Sequence, residues 1–165
     1  MKITSTEEYG IRCLLRVGKQ TSGDPISAQA VAQFEGLSVA YAQKLLRILN
    51  QAELIEARRG AAGGYVLSRP AEEISLGDAI RALGGMIELD HLCDTHAGNN
   101  DVCCHANNCA LRPVWSCLSE FIVLTFDSIP LSLMLHREQE VATILQQLVP
   151  STSVVQSVIS KTLPA

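Results

Sequence analysis

The sequence predicts a mainly α-helical fold with one small β-hairpin, and three observations carry that expectation. Apolar residues recur at helical spacing near the amino terminus and again beyond residue 110. Aromatic residues make up only 4% of the chain, too few for a large β-sandwich. Strand-like runs are confined to two short stretches flanking a glycine-rich tip, Arg59-Gly60-Ala61-Ala62-Gly63-Gly64. With 165 residues and 47% apolar content, one domain with a real core is expected, with room for an appended helical element.

Thr4 or Ser5 caps a first helix, with Glu7 and Glu8 in the first turn, where the helix dipole favours carboxylates. Ile11, Leu14, Leu15 and Val17 form its apolar stripe, and Ser22-Gly23-Asp24-Pro25 ends it as a turn. Ser27 caps a short second helix, with Ile26 and Val31 at the staple positions. Gly36 closes that helix, since a residue without Cβ takes the left-handed conformation freely. Ser38 caps a third helix over residues 39–51, carrying Tyr41, Leu45, Leu46, Ile48 and Leu49.

Two short helices joined by a tight turn with glycine form a helix-turn-helix pattern, although an ordinary pair of core helices looks the same. The strands 54–58 and 65–67 decide the reading, because a helix-turn-helix followed by a basic hairpin is a winged helix. The third helix is then expected in the major groove, while the wing, through Arg58, Arg59 and Gly60, reaches phosphates or the minor groove. Gln43 and Lys44, beside Ser38 and Tyr41, are the candidates for base contact; Arg47, a turn later, meets phosphate or lies on the solvated face. The glycine-rich tip is no phosphate-binding P-loop, because it lacks the GK[ST] ending and no helix follows it.

Pro70 ends the wing. Ser75-Leu76-Gly77-Asp78 has the shape of a capping box and opens a short helix closed by Gly84-Gly85. A long helix begins near Leu111, with Leu111, Trp115, Leu118, Phe121, Ile122 and Phe126 marking one face; so much apolar surface calls for a second copy of the chain. A further amphipathic helix follows near Glu138–Leu148. The expected division is a DNA-binding domain over 1–85, a cysteine-rich loop over 86–110, dimerisation helices over 111–150 and a tail over 151–165.

Charge is unevenly spread. The net is −4, yet residues 1–70 carry nine Lys/Arg against six Asp/Glu, whereas residues 71–165 carry four against eleven. A mildly basic front half is compatible with DNA contact through one face. The start has no apolar leader and no run is long enough to span a bilayer, so a cytoplasmic protein with reduced thiols is expected.

That expectation gives meaning to residues 91–117. They hold five of the six cysteines and three of the four histidines: His91, Cys93, His96, Cys103, Cys104, His105, Cys109 and Cys117. Thiolates and imidazoles bind borderline and soft metals, so this crowding points to a metal or to redox chemistry before packing. Cys13, among apolar neighbours, and Cys117, within the long helix, read as packing residues. Arg12, one turn from Glu8, is placed to pair with it. No nucleophile–base pair stands out, which speaks against an enzyme.

The run Met1-Lys2-Ile3-Thr4-Ser5, then Ser38-Val39-Ala40-Tyr41 to Leu45, the wing Arg59-Gly60-Ala61-Ala62-Gly63-Gly64-Tyr65-Val66-Leu67, and Ile74-Ser75-Leu76-Gly77-Asp78 together resemble the Rrf-two family. These are IscR- and NsrR-type winged-helix regulators of bacteria, and the likeness runs from residue 1 to about 135. The resemblance implies a homodimer crossed by its long helix and a palindromic DNA operator. It also implies an iron–sulfur cluster, of two or four irons, held by three cysteines and a fourth ligand of another type. Counted back from Trp115, it implies Cys109, Cys103 and Cys93, with Cys104 in reserve because the Cys93–Cys103 gap is longer than in IscR-like members. IscR-like members place a histidine ligand where this chain has Arg112, which cannot bind iron. NsrR-like members use an acidic residue of the other subunit where this chain has Glu8. Glu8 is therefore the expected fourth ligand; otherwise it is a solvated residue at a helix start. His91, His96 and His105 are the remaining candidates. The resemblance implies a regulator sensing iron, redox state or nitric oxide. The alternatives keep the DNA binding and replace the cluster by structural zinc or a thiol–disulfide switch.

Overall fold

The computed structural model describes residues 3–20, 23–60, 63–85, 101–106 and 108–148. The expectations for Cys93, His91, His96 and the tail over 151–165 fall outside the described residues. The chain divides into two compact units, Met1–Met86 with Phe126–Thr143, and Ile87–Thr125 with Ile144–Ala165.

The first unit opens with α1 (Ser5–Gly18). Thr4 is its cap: its hydroxyl accepts from Glu7 N–H, and the Glu7 carboxylate accepts in return from Thr4 N–H. Then come α2 (Ala28–Glu35) and α3 (Val39–Gln51). Ser27 and Ser38 cap these two helices, and Gly36, at φ 66°, closes α2 in the left-handed region. On α3 the spacing Ala42, Leu45, Leu46 and Leu49 puts one full face into the core, all four with no exposed surface. Each such leucine contributes about 1.5–3 kcal/mol on burial.

Strands β1 (Ile55–Arg58) and β2 (Gly64–Leu67) form the antiparallel hairpin, in the register Ile55 with Leu67 and Ala57 with Tyr65. A grip that the sequence did not disclose fixes the hairpin to the helices. Ile26, just before α2, exchanges both backbone hydrogen bonds with Tyr65, at 3.0 and 2.9 Å. Gly64 lets the two chains come this close, since a Cβ there would lie 2.5 Å from the Ile26 carbonyl oxygen.

After a 3-10 turn (Ala71–Glu73), α4 (Leu76–Ala82) starts on the expected capping box of Ser75 and Asp78. The chain re-enters this unit at the end of α5 (Leu111–Asp127). Leu76 N–H donates to Ile129 O at 2.8 Å, and Leu131 N–H donates to Ile74 O at 2.7 Å. A short helix, α6 (Leu131–Met134), follows, and Leu131 joins Leu14, Leu45 and Ile74 in the core with no exposed surface. Arg81 reaches both Asp78 (2.9 Å) and Asp127 (2.8 Å), while Arg69 at the foot of the wing bonds Asp78 at 3.3 Å. Helix α7 spans Glu138–Leu148.

The pairing of Arg12 with Glu8 is corrected. Arg12 and Arg16 both clasp Glu35 of α2, at 3.0 and 2.9 Å, and the Glu35 side chain is only 9% exposed. An (i, i+4) partner in solvent loses to a half-buried carboxylate that accepts from two guanidinium groups.

In the second unit, α5 presents Leu111, Val114, Trp115 and Leu118 along one stripe, all exposed. Its first turn follows directly on the cysteine segment. Among the described residues no helix is long and apolar enough to cross a membrane.

Candidate nucleic-acid interface and cysteine segment

The fold sets α3 beside the hairpin on one exposed surface. Gln43 and Lys44 lie exposed near the start of α3. Ser38 is exposed too, but its hydroxyl accepts from Tyr41 N–H at 3.3 Å, so any base contact shares it with the helix cap. Tyr41 is half-buried, its ring edge-on to Tyr9 at 6.1 Å, with the Arg12 guanidinium over Tyr9. That packing gives Tyr41 a fixed direction, which a loose surface tyrosine lacks.

At the hairpin the two arginines differ. Arg58 is held by Glu56 of the same strand at 2.8 Å. Arg59 is exposed and has no ion pair among the described residues, so its charge is available. Gly60 takes φ 131°, open to few residues other than glycine, and a Cβ on Gly63 would meet the Arg58 carbonyl at 2.7 Å. These two glycines shape the base of the tip that carries Arg59.

Between α3 and the hairpin runs an open groove of about 280 Å³, lined by Gln43, Arg47, Asn50, Ala57 and Tyr65. The spacing i, i+4, i+7 places the three α3 residues on one helical face, and the Ala57–Tyr65 register places the other two opposite each other. The sequence alone assigns Arg47 to phosphate or to solvent and singles out none of Asn50, Ala57 and Tyr65 for contact. The 43–47–50 spacing was the available signal, but only the hairpin register shows what that face meets.

The cysteine segment is described in part. Cys103 and Cys109 are half-exposed, Cys104 is exposed, and all three are free thiols. Ala106 N–H donates to Cys103 O at 3.0 Å, and Asn108 N–H to His105 O at 3.1 Å, so the stretch is a succession of tight turns. Arg112, in the first turn of α5, donates from its guanidinium to Ala106 O at 2.7 Å. It thus ties the turn to the helix from a position where it cannot be a ligand. Soft thiols on solvent-open turns fit an iron–sulfur centre as donors. Among the described residues, no three His, Cys, Asp or Glu side chains are gathered so as to hold a metal ion.

Glu8 is exposed in the first turn of α1, with no side-chain partner among the described residues. Cys13 is buried in the core, which pushes its thiol up to about 11; Glu35 adds to the rise and Arg12 opposes it. Cys117 is half-buried within α5.

Comparison with known proteins agrees with this architecture. The family described as Rrf2, iron-dependent transcriptional regulator, matches residues 3–137. The protein rrf2 of Nitratidesulfovibrio vulgaris is 39% identical over 115 residues, covering 70% of this chain and 74% of that protein. The HTH-type transcriptional regulator IscR of Sodalis glossinidius is 25% identical over 139 residues, covering 84% of this chain and 81% of the relative. Among solved structures, CymR, the global cysteine regulator of B. subtilis, superposes with a TM-score of 0.66 at 28% identity, covering 82% of this chain and 96% of that one.

Proposed function

Because the chain belongs to the Rrf2 family, we propose that it is a DNA-binding transcriptional regulator that senses iron, redox state or nitric oxide through an iron–sulfur cluster. That it is a transcriptional regulator with a winged helix, and not an enzyme, follows from the family and its relatives. The finer reading rests on one observation: free thiols at Cys103 and Cys109 lie on turns that run straight into α5, with Arg112 bracing the join.

Cys93, Cys103 and Cys109 would hold the cluster, with Glu8 as the fourth ligand and Cys104 as the substitute for Cys103. When bound, such a group supplies reversible one-electron chemistry and lability toward oxidants and nitric oxide. A carboxylate beside three thiolates is the weakest of the four donors and the one to let go first. The exposed stripe Leu111, Val114, Trp115 and Leu118 supports a homodimer formed through α5, since an apolar face of that kind is stabilised by a second copy. A two-fold dimer reads a palindromic operator with half-sites about 34 Å apart per helical turn. On each subunit, Ser38, Tyr41, Gln43 and Lys44 would face the bases and Arg58, Arg59 and Gly60 the backbone or minor groove. A change in the cysteine segment would then alter the pose of the two wings and shift the balance between two dimer arrangements.

A second reading has support of its own. CymR of B. subtilis is a cysteine regulator, and the adjacent free thiols Cys103 and Cys104 offer a thiol switch without metal.

Purification without oxygen distinguishes the readings. Iron and sulfide in stoichiometric amounts, with thiolate-to-iron absorption that Cys103→Ala and Cys109→Ala abolish, supports the cluster. Colourless protein with one zinc per chain, or with no metal and an oxidant-dependent change in DNA affinity, overturns it.

A further inference from the structure

The groove between α3 and the hairpin has a use that neither element has alone. With α3 in the major groove and the wing tip toward the minor groove, the sugar–phosphate strand separating the two must pass between them. The structure holds an open groove at that place, lined by Gln43, Arg47, Asn50, Ala57 and Tyr65. We infer that this groove seats one backbone phosphate of duplex DNA, with Arg47 as its charged clamp and Asn50 and Tyr65 as neutral donors. The inference rests on the DNA-binding reading above.

Arg47 differs from most other arginines of the first unit. Arg12 and Arg16 are bound to Glu35, Arg58 to Glu56, Arg69 to Asp78, and Arg81 to Asp78 and Asp127. Arg47 is exposed and, among the described residues, has no ion-pair partner. Among the described residues no carboxylate lines the groove. Glu56 and Arg58 flank Ala57 on the strand, and alternation turns their side chains to its other face. An anion entering here therefore meets an uncommitted guanidinium and no competing acid. Ala57 keeps the space open, because within the hairpin it sets only a methyl opposite Tyr65. The planar guanidinium fork matches a phosphate, and fixing one strand at this point would set the depth and register of α3 in its groove.

A bound sequence is first enriched by the wild-type protein from a random duplex pool. Methylphosphonate linkages, which remove one backbone charge, are then placed singly along it. In wild type, one linkage beside the α3 contacts is expected to weaken binding roughly ten-fold. Arg47→Ala should bind more weakly yet lose that sensitivity, and its salt slope should fall by about 1. Arg59→Ala should keep the sensitivity, and Ala57→Leu, which fills the groove and leaves every charge in place, should weaken binding as well. An Arg47→Ala protein with the wild-type linkage pattern and salt slope overturns the inference. So does one that discriminates less at a single base pair without change in the slope, because Arg47 would then read a base. If wild type enriches no sequence and binds no duplex, the DNA-binding reading fails first, and this outcome is distinct from the other two.

Discussion

Arg81 of α4 and Asp127, the last residue of α5, meet at 2.8 Å. The contact lies next to Gly77, where a Cβ would run into the Asp127 carboxylate. The pair thus fills the space that a side chain at Gly77 would take. Gly77→Ala is expected to cost less than about 1 kcal/mol, because the part-exposed Asp127 side chain can swing aside and alanine favours the helix. Asp127→Ala alone should cost less than about 1 kcal/mol, because both partners are substantially exposed. The double variant should be more stable than the sum of the two changes implies, and a denaturation cycle measures this coupling. Strict additivity would show that Gly77 and Asp127 do not meet in solution.

Glu35 holds Arg12 and Arg16 together across α1 and α2. Replacing it by alanine leaves two guanidinium groups facing each other over a partly closed site. A loss of about 1–3 kcal/mol is expected, discounted for the solvent that both arginines reach. Glu35→Gln should recover only part of it. Urea titrations of the two variants provide the test, and equal midpoints for wild type and Glu35→Ala would be inconsistent with the clasp.

Asp78 links the foot of the wing to α4. Burial works against its charge, but the Ser75 and Arg81 hydrogen bonds outweigh that and hold the carboxyl below its ordinary value of 3.8. A folded value below the unfolded one means that the contribution is complete above the unfolded value. It is lost as pH falls through the folded one. The melting temperature of wild type should therefore fall more steeply than that of Asp78→Asn as pH drops below 3.8. Parallel acid limbs would show that Asp78 carries no special stability.

Arg59→Ala is expected to weaken binding to all duplexes alike and to lower the salt slope by about 1, since an exposed arginine on a hairpin tip, without an ion pair among the described residues, meets phosphate charge. Arg58→Ala should cost less, because Glu56 already neutralises Arg58. Affinities measured over a salt series test the ranking. A larger loss at Arg58 would reverse the roles assigned to the two residues.

The thiols should react in a fixed order. With its thiol raised to about 11, Cys13 stays protonated and inaccessible at neutral pH, while Cys104 is exposed and Cys103 and Cys109 are half-exposed. Iodoacetamide on metal-free native protein should modify the 103–109 group first, and Cys13 only after unfolding. Mass spectrometry of timed digests shows the order; early labelling of Cys13 would contradict its burial. The same shift makes the folded state lose stability as pH climbs from 9.0 towards 11, since unfolding releases a more acidic thiol.

How legible all this was in the sequence depended on range. The caps at Thr4, Ser27, Ser38 and Ser75 could be read because each is a hydroxyl accepting from an N–H three residues on. The bounds of α3 and of α7 were legible from the same local signals of cap and periodicity. Arg12 shows the limit: its neighbour Glu8 is close in sequence, yet its partner Glu35 lies 23 residues away and is chosen by helix packing. The Ile26–Tyr65 exchange and the return of Leu131 to the core were equally hidden, because nothing local marks either residue as more than apolar. At the candidate site, residue types were readable and their commitments were not. Arg47, Arg58 and Arg59 look alike as letters, and only the structure separates the one held by Glu56 from the two without an ion pair among the described residues.

The return of residues 126–143 to the first unit also orders events during synthesis. A winged unit made only of residues 1–86 would leave a hole where Leu131 belongs and an uncapped edge at Ile74 and Leu76. A ribosome releases the three helices and the wing long before it reaches Leu131, and until then the nascent core faces water. The winged unit is therefore finished only after every cysteine of the chain has been translated.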